Sequence, residues 1–111
     1  MERRLFAKSL NEGYIERHTL DLSHQRFAIQ VHVLERGVLS VYEVEFAGVS
    51  HFQFDDKQVG DWERLQLTQL WIDEAPENSG TEEWAVSFSL WDLAHVTLRC
   101  TSISIDGESV R

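Results

Sequence analysis

The sequence predicts an all-β domain, or a β-rich α+β domain opened by a short N-terminal helix, built as an antiparallel sandwich or partly open barrel of six to eight strands. Three observations predict it. Apolar side chains recur at every second position over much of residues 26–54 and again over 84–105, the period of a strand with one buried face. Turn-forming residues interrupt these runs at intervals of about eight to twelve residues. A hydrophobic content of 42%, with four Trp, six Phe and two Tyr, supplies one core and argues against disorder.

The elements follow in order. Leu5, Phe6 and Leu10 line one side of a short helix that Gly13 ends, and residues 14–22 suit an opening strand. From Arg26, the residues Phe27, Ile29, Val31 and Val33 alternate with Ala28, Gln30, His32 and Leu34. Glu35-Arg36-Gly37 supplies a turn. Val38, Ser40, Tyr42, Val44 and Phe46 then alternate with Leu39, Val41, Glu43 and Glu45, so residues 26–46 predict a β-hairpin. Ala47-Gly48 breaks the pattern and residues 49–54 resume it, as at a bulge.

Residues 55–61 are polar and read as a loop. Residues 62–72 read as a strand with an irregularity near Thr68-Gln69, although Leu67, Leu70 and Trp71 also suit helical spacing. Residues 73–83 hold Pro76, Asn78, Ser79 and Gly80 with five carboxylates and predict a solvated loop. Trp84, Val86, Phe88 and Leu90 alternate again, residues 91–95 turn the chain, and Val96, Leu98 and Cys100 lead to Ile103 and Ile105. The expected core includes Ile29, Val31, Val44, Phe46, Phe88 and Leu98.

A chain of 111 residues is the size of one domain, so residues 1–111 read as a single β-rich unit. Its net charge of −9 is unevenly divided. Residues 1–42 carry six basic and five acidic side chains; residues 43–111 carry four basic and fourteen acidic ones. A field of one sign serves solubility or a positively charged partner. Nucleic acid is excluded as a partner on this ground, because phosphate contacts require Lys and Arg. The apolar stretch Leu5-Phe6-Ala7 is too short for a signal-peptide core, and no run approaches a membrane span. A cytoplasmic location is the expectation, with one cysteine and hence no internal disulfide.

Candidate chemistry is sparse. His18 and His24, with Asp21 between them, and His32, His51 and His95 invite a metal reading, but zinc needs three or four converging ligands. In one extended strand His18 and His24 would lie about 20 Å apart, and no strong turn stands between them. Cys100 lies in an apolar alternation, where a thiol is inert. No Gly-x-Ser-x-Gly elbow or phosphate-binding glycine loop occurs. The adjacent carboxylates Asp55-Asp56, Asp73-Glu74 and Glu82-Glu83 lack the fixed facing geometry of a glycosidase pair. Neither catalytic residues, nor metal ligands, nor a cofactor are expected. Trp62, Trp71, Trp84 and Trp91 border acidic or loop-like segments, as core-edge residues or as interface anchors.

The order of residues 46–52, then 62–72, then 96–103 resembles the YxiG-like group of small bacterial domains, over about residues 20–105. The chain departs from that group in lacking a His-Asp pair in its first strand. Related small domains are immunity proteins of bacterial toxin systems, so the resemblance implies a non-catalytic inhibitor and carries no catalytic residues. The leading expectation is an acidic interaction domain that meets a basic protein through Asp73, Glu74, Glu77, Glu82 and Glu83, flanked by Trp71 and Trp84. The alternative is a small-molecule-binding or regulatory β-domain with an apolar pocket between sheets. A histidine-dependent metal enzyme comes third.

Overall fold

The structure is a computed structural model that describes residues 1–56, 60, 64–74, 83–91 and 93–111. Helix α1 (Arg3–Leu10) precedes nine strands: β1 (Tyr14–Asp21), β2 (Arg26–Glu35), β3 (Val38–Ala47), β4 (His51–Asp56), β5 (Leu65–Glu74), β6 (Trp84–Leu90), β7 (Ala94–Cys100), β8 (Ser102–Ile105) and β9 (Glu108–Ser109). They form one open antiparallel sheet in the order β4-β7-β6-β5-β1-β2-β3-β8-β9. Among the described residues nine strands stand where six to eight were expected, because the last apolar run divides at Thr101 and a two-residue strand follows it.

The β2–β3 hairpin forms as predicted, paired without a break from Arg26↔Ala47 to Glu35↔Val38. Its two-residue turn has positive φ at both Arg36 (50°) and Gly37 (78°), the type I′ geometry whose twist matches that of the strands. Phe27, Ile29, Val31, Val33, Val44 and Phe46 are buried on its inner face. They join Val86, Phe88, Leu90, Val96, Leu98 and Cys100 from the other half of the sheet in one core. All six of the expected core residues named above are buried.

Two halves of the sheet share this core because the chain bends twice at one place. The β3–β4 and β7–β8 segments run antiparallel through a common corner, where the Thr101 N–H donates to Ala47 O (3.0 Å) and the Ser50 N–H to Arg99 O (3.0 Å). Gly48 stands there with φ +65°, and a Cβ on it would collide with Thr101 Oγ1. The glycine that breaks the alternation therefore marks the bend.

Helix α1 buries Phe6 and Leu10, which lie four residues apart on one face, while Leu5 is half-exposed. The expectation that Leu5 shares the buried side is thus corrected. Gly13 presses against β2, where a Cβ would meet Val31 Cγ1 at 2.7 Å and Val33 Cγ2 at 2.9 Å. Its carbonyl accepts from the Leu67 N–H at 2.7 Å, which ties β1 to β5. Strand β5 slips register between Leu67 and Gln69, at the irregularity that the sequence predicts. Strand β5 runs on to Glu74 and β4 to Asp56, so the predicted loops are shorter than expected; residues 75–82 lie outside the described residues.

Candidate functional site

The site arises from a mismatch between β1 and β5. Their ladder holds only Tyr14↔Gln66 and Ile15↔Leu65. A register shift between Ile15 and Arg17 then bends β1 away, as β-bulges do. The shift also moves the inward-facing set from odd to even positions: Ile15 pairs with Val31, His18 with Ile29, and Leu20 with Phe27. Beyond Ile15, β1 keeps only β2 as a neighbour among the described residues. Among the described residues strand β4 likewise pairs with one strand, β7.

Between these strands lies a cleft of about 270 Å³. Its floor is Ile15, Phe27, Phe88, Leu90 and Val96; its rim is His18, Leu20, Phe52, Phe54 and Leu65. Phe54 is 50% and Leu20 40% exposed although both occupy inner-face positions. The Phe52 ring stands edge-on to Phe27, with centroids 4.9 Å apart. Among the described residues His18 is the one titratable side chain in this lining. Such a wall offers dispersion and desolvation to an apolar guest and little to an ion.

The residues expected to meet a partner do not share one surface. Trp71 pairs with Ser87 on the outer face of β5 and is 61% exposed. Asp73 lies on the same face, and both border a shallow depression with His51, Ser87, Thr97 and Arg99. Trp84 sits opposite Cys100 on the inner face, half-buried against the core, with the Arg3 guanidinium 5.5 Å from its ring centroid. Glu83 accepts the Ser50 hydroxyl at 2.7 Å. Glu74 ends β5 opposite Trp84. Glu77 and Glu82 lie outside the described residues, as does Trp62, while Trp91 is exposed.

Among the described residues no three His, Cys, Asp or Glu side chains converge on a metal position. A turn does separate His18 from His24, against expectation, closing on Gln25 with φ 54°. There the Asp21 carboxylate accepts the Ser23 hydroxyl (2.9 Å) and bonds His24 Nδ1 (2.8 Å). These two contacts, Ser23 first, hold its pKa below the usual carboxylate value.

One constellation escaped the sequence reading. Ser89, His95 and Asp55 stand side by side on β6, β7 and β4, with Ser89 Oγ 2.9 Å from His95 Nδ1. The β6–β7 hairpin register was the signal that could have found the Ser-His pair. Its geometry does not make a nucleophile. Ser89 is 3% exposed, and the Asp55 carboxylate accepts Gln53 Nε2 (2.8 Å). An acyl-transfer site needs an approachable hydroxyl and free N–H donors for the oxyanion. Cys100 is fully buried, and burial, with the Glu83 charge as a lesser cause, pushes its pKa up to about 12, as the inert reading requires.

No protein-family model matches the chain, and no curated protein matches it.

Proposed function

We propose that this chain is a non-catalytic binding domain that takes a small apolar molecule, or the apolar end of an amphipathic one, in the cleft between β1 and β4. One observation carries the reading. Inner-face side chains that a closed sheet would cover, Leu20 and Phe54 above all, stand half-exposed around a 270 Å³ apolar hollow. A cavity of roughly 150 Å³ already holds benzene, and ligand sites begin near ~300 Å³, so the guest is small. His18 lines the rim and would bond one polar group of that guest.

The test is a titration with the neutral fluorophore N-phenyl-1-naphthylamine. Saturable enhancement with one site per chain is expected, and Leu20→Arg, a change at the exposed rim, should weaken it at least tenfold. Binding without saturation, or equal binding by the variant, overturns the reading.

A second reading keeps the acidic interaction domain, and Trp71 favours it. An indole 61% exposed beside Asp73, in the portion of the chain that carries fourteen of its nineteen carboxylates, has the chemistry of an interface anchor for a basic protein. An immunity-type inhibitor, as the resemblance implies, would use that outer face.

A further inference from the structure

We infer that two copies of this chain join through the open edge of β3, pairing residues 38–42 antiparallel about a two-fold axis at Ser40. Among the described residues the edge is free. Strand β3 pairs with β2 along its whole length but with β8 only from Val44 to Ala47. At Glu43 the covered part ends: its N–H donates to Asp106 Oδ1 and its carbonyl accepts the Asp106 N–H, each at 2.8 Å. In a two-residue hairpin the residues flanking the loop exchange hydrogen bonds, and every second pair after them does so. Val38, Ser40 and Tyr42 therefore turn their backbone groups toward β2. The N–H and C=O groups of Leu39 and Val41 point outward, with no bonding partner among the described residues.

Protected edges look different. Strand β4 ends in Asp55 and Asp56, and β9 is two residues long; charge and brevity are the usual guards against strand addition. Residues 38–42, Val-Leu-Ser-Val-Tyr, carry no charge. Val38 is 66%, Leu39 50% and Val41 45% exposed. Leu34, opposite Leu39 on the same face, is exposed as well.

The occupant follows from register. A two-fold axis at Ser40 sets Leu39 of each copy against Val41 of the other, so the four outward groups of one edge meet the four of its twin. It also sets Val38 against Tyr42. An axis at Val41 would press Leu39 on Glu43, whose backbone groups are already taken. An axis at Leu39 would face Val41 with the turn residue Gly37. In the Ser40 register Gly37 lies opposite Glu43, which brings the neighbouring Arg36 of one copy beside Glu43 of the other, twice across the axis. The hairpin also lies mainly in residues 1–42, where basic and acidic side chains nearly balance, so the copies meet where an acidic chain repels itself least. Five residues per edge cover less than the ~1,200 Å² of a standard stable interface, which makes the dimer reversible on dilution.

Sedimentation velocity over roughly 1–500 μM should show a monomer–dimer equilibrium. The double variant Leu39→Lys with Val41→Lys, both at exposed positions, should raise the dissociation constant at least tenfold and leave far-UV circular dichroism unchanged. Ser40→Cys tests the register. At a non-hydrogen-bonded pair the Cα atoms approach to about 4.5 Å, within disulfide range, so this variant should cross-link under mild oxidation much faster than Val38→Cys. A wild-type chain that stays monomeric throughout, a lysine variant that associates as the wild type does, or equal cross-linking at positions 38 and 40 overturns the inference.

Discussion

Cys100 shows how a single side chain reports its surroundings. It closes β7 with no solvent exposure, and its thiol keeps its proton up to about 12 instead of the ordinary 9.0. In the unfolded chain the same thiol ionises near its ordinary value. Between these two pH values the native state binds more protons than the unfolded state, so stability falls as pH rises through the window. The contribution is complete below pH 9 and gone near 12. Urea midpoints of the wild type should therefore drop more steeply above pH 9 than those of Cys100→Ala, which cancels the lysine and tyrosine titrations common to both. The variant should cost about 1 kcal/mol at neutral pH. A disulfide reagent should label the folded protein slowly and the denatured protein fast; rapid labelling of the folded state would make Cys100 a surface thiol.

At the scale of elements, the joints between strands are the informative parts. Gly13 links α1 to β1 while lying flush on Val31 and Val33. Gly13→Ala should overpack that contact and cost ~1–3 kcal/mol by urea unfolding; a loss under about 0.5 kcal/mol would mean that β2 yields freely there. Local joints were legible in the sequence. The β2–β3 hairpin could be read because its pairs are close in sequence and its turn residues are distinctive. The β5 irregularity was visible because Leu65 and Leu67 stand at odd positions while the partly buried Leu70 and Ile72 stand at even ones, a change of phase that only an extra residue can produce. The same logic could have separated Trp71 from Trp84: Trp84 is in phase with Val86 and Phe88, and Trp71 is out of phase with Leu70 and Ile72. The cleft was not legible. It depends on where β1 leaves β5, a contact between residues about fifty positions apart, and no local pattern encodes how far two such strands stay together.

For the whole molecule the governing quantity is the uneven charge. The charged contacts among the described residues are the N-terminal amine with Glu108, Arg26 with Glu45 at 3.6 Å and, when its imidazole carries a proton, His24 with Asp21. Each has at least one substantially exposed partner, so solvent screens them and they contribute little to stability. Against them stands repulsion among nineteen carboxylates with ten Lys and Arg to offset it. Salt weakens both terms, and the larger one decides the sign. Raising ionic strength from about 0.01 M to about 0.15 M shortens the screening length from ~30 Å to ~8 Å. That removes most of the long-range repulsion and leaves contact pairs less affected. The melting temperature should therefore rise across this range, measured at a concentration low enough to keep the chain monomeric. If the proposed basic partner meets the outer face around Trp71 and Asp73, the same screening should slow its capture, since steered association depends on the long-range field. A melting temperature that falls with salt would show that local pairing outweighs the acidic field, and would remove the electrostatic support for a basic partner.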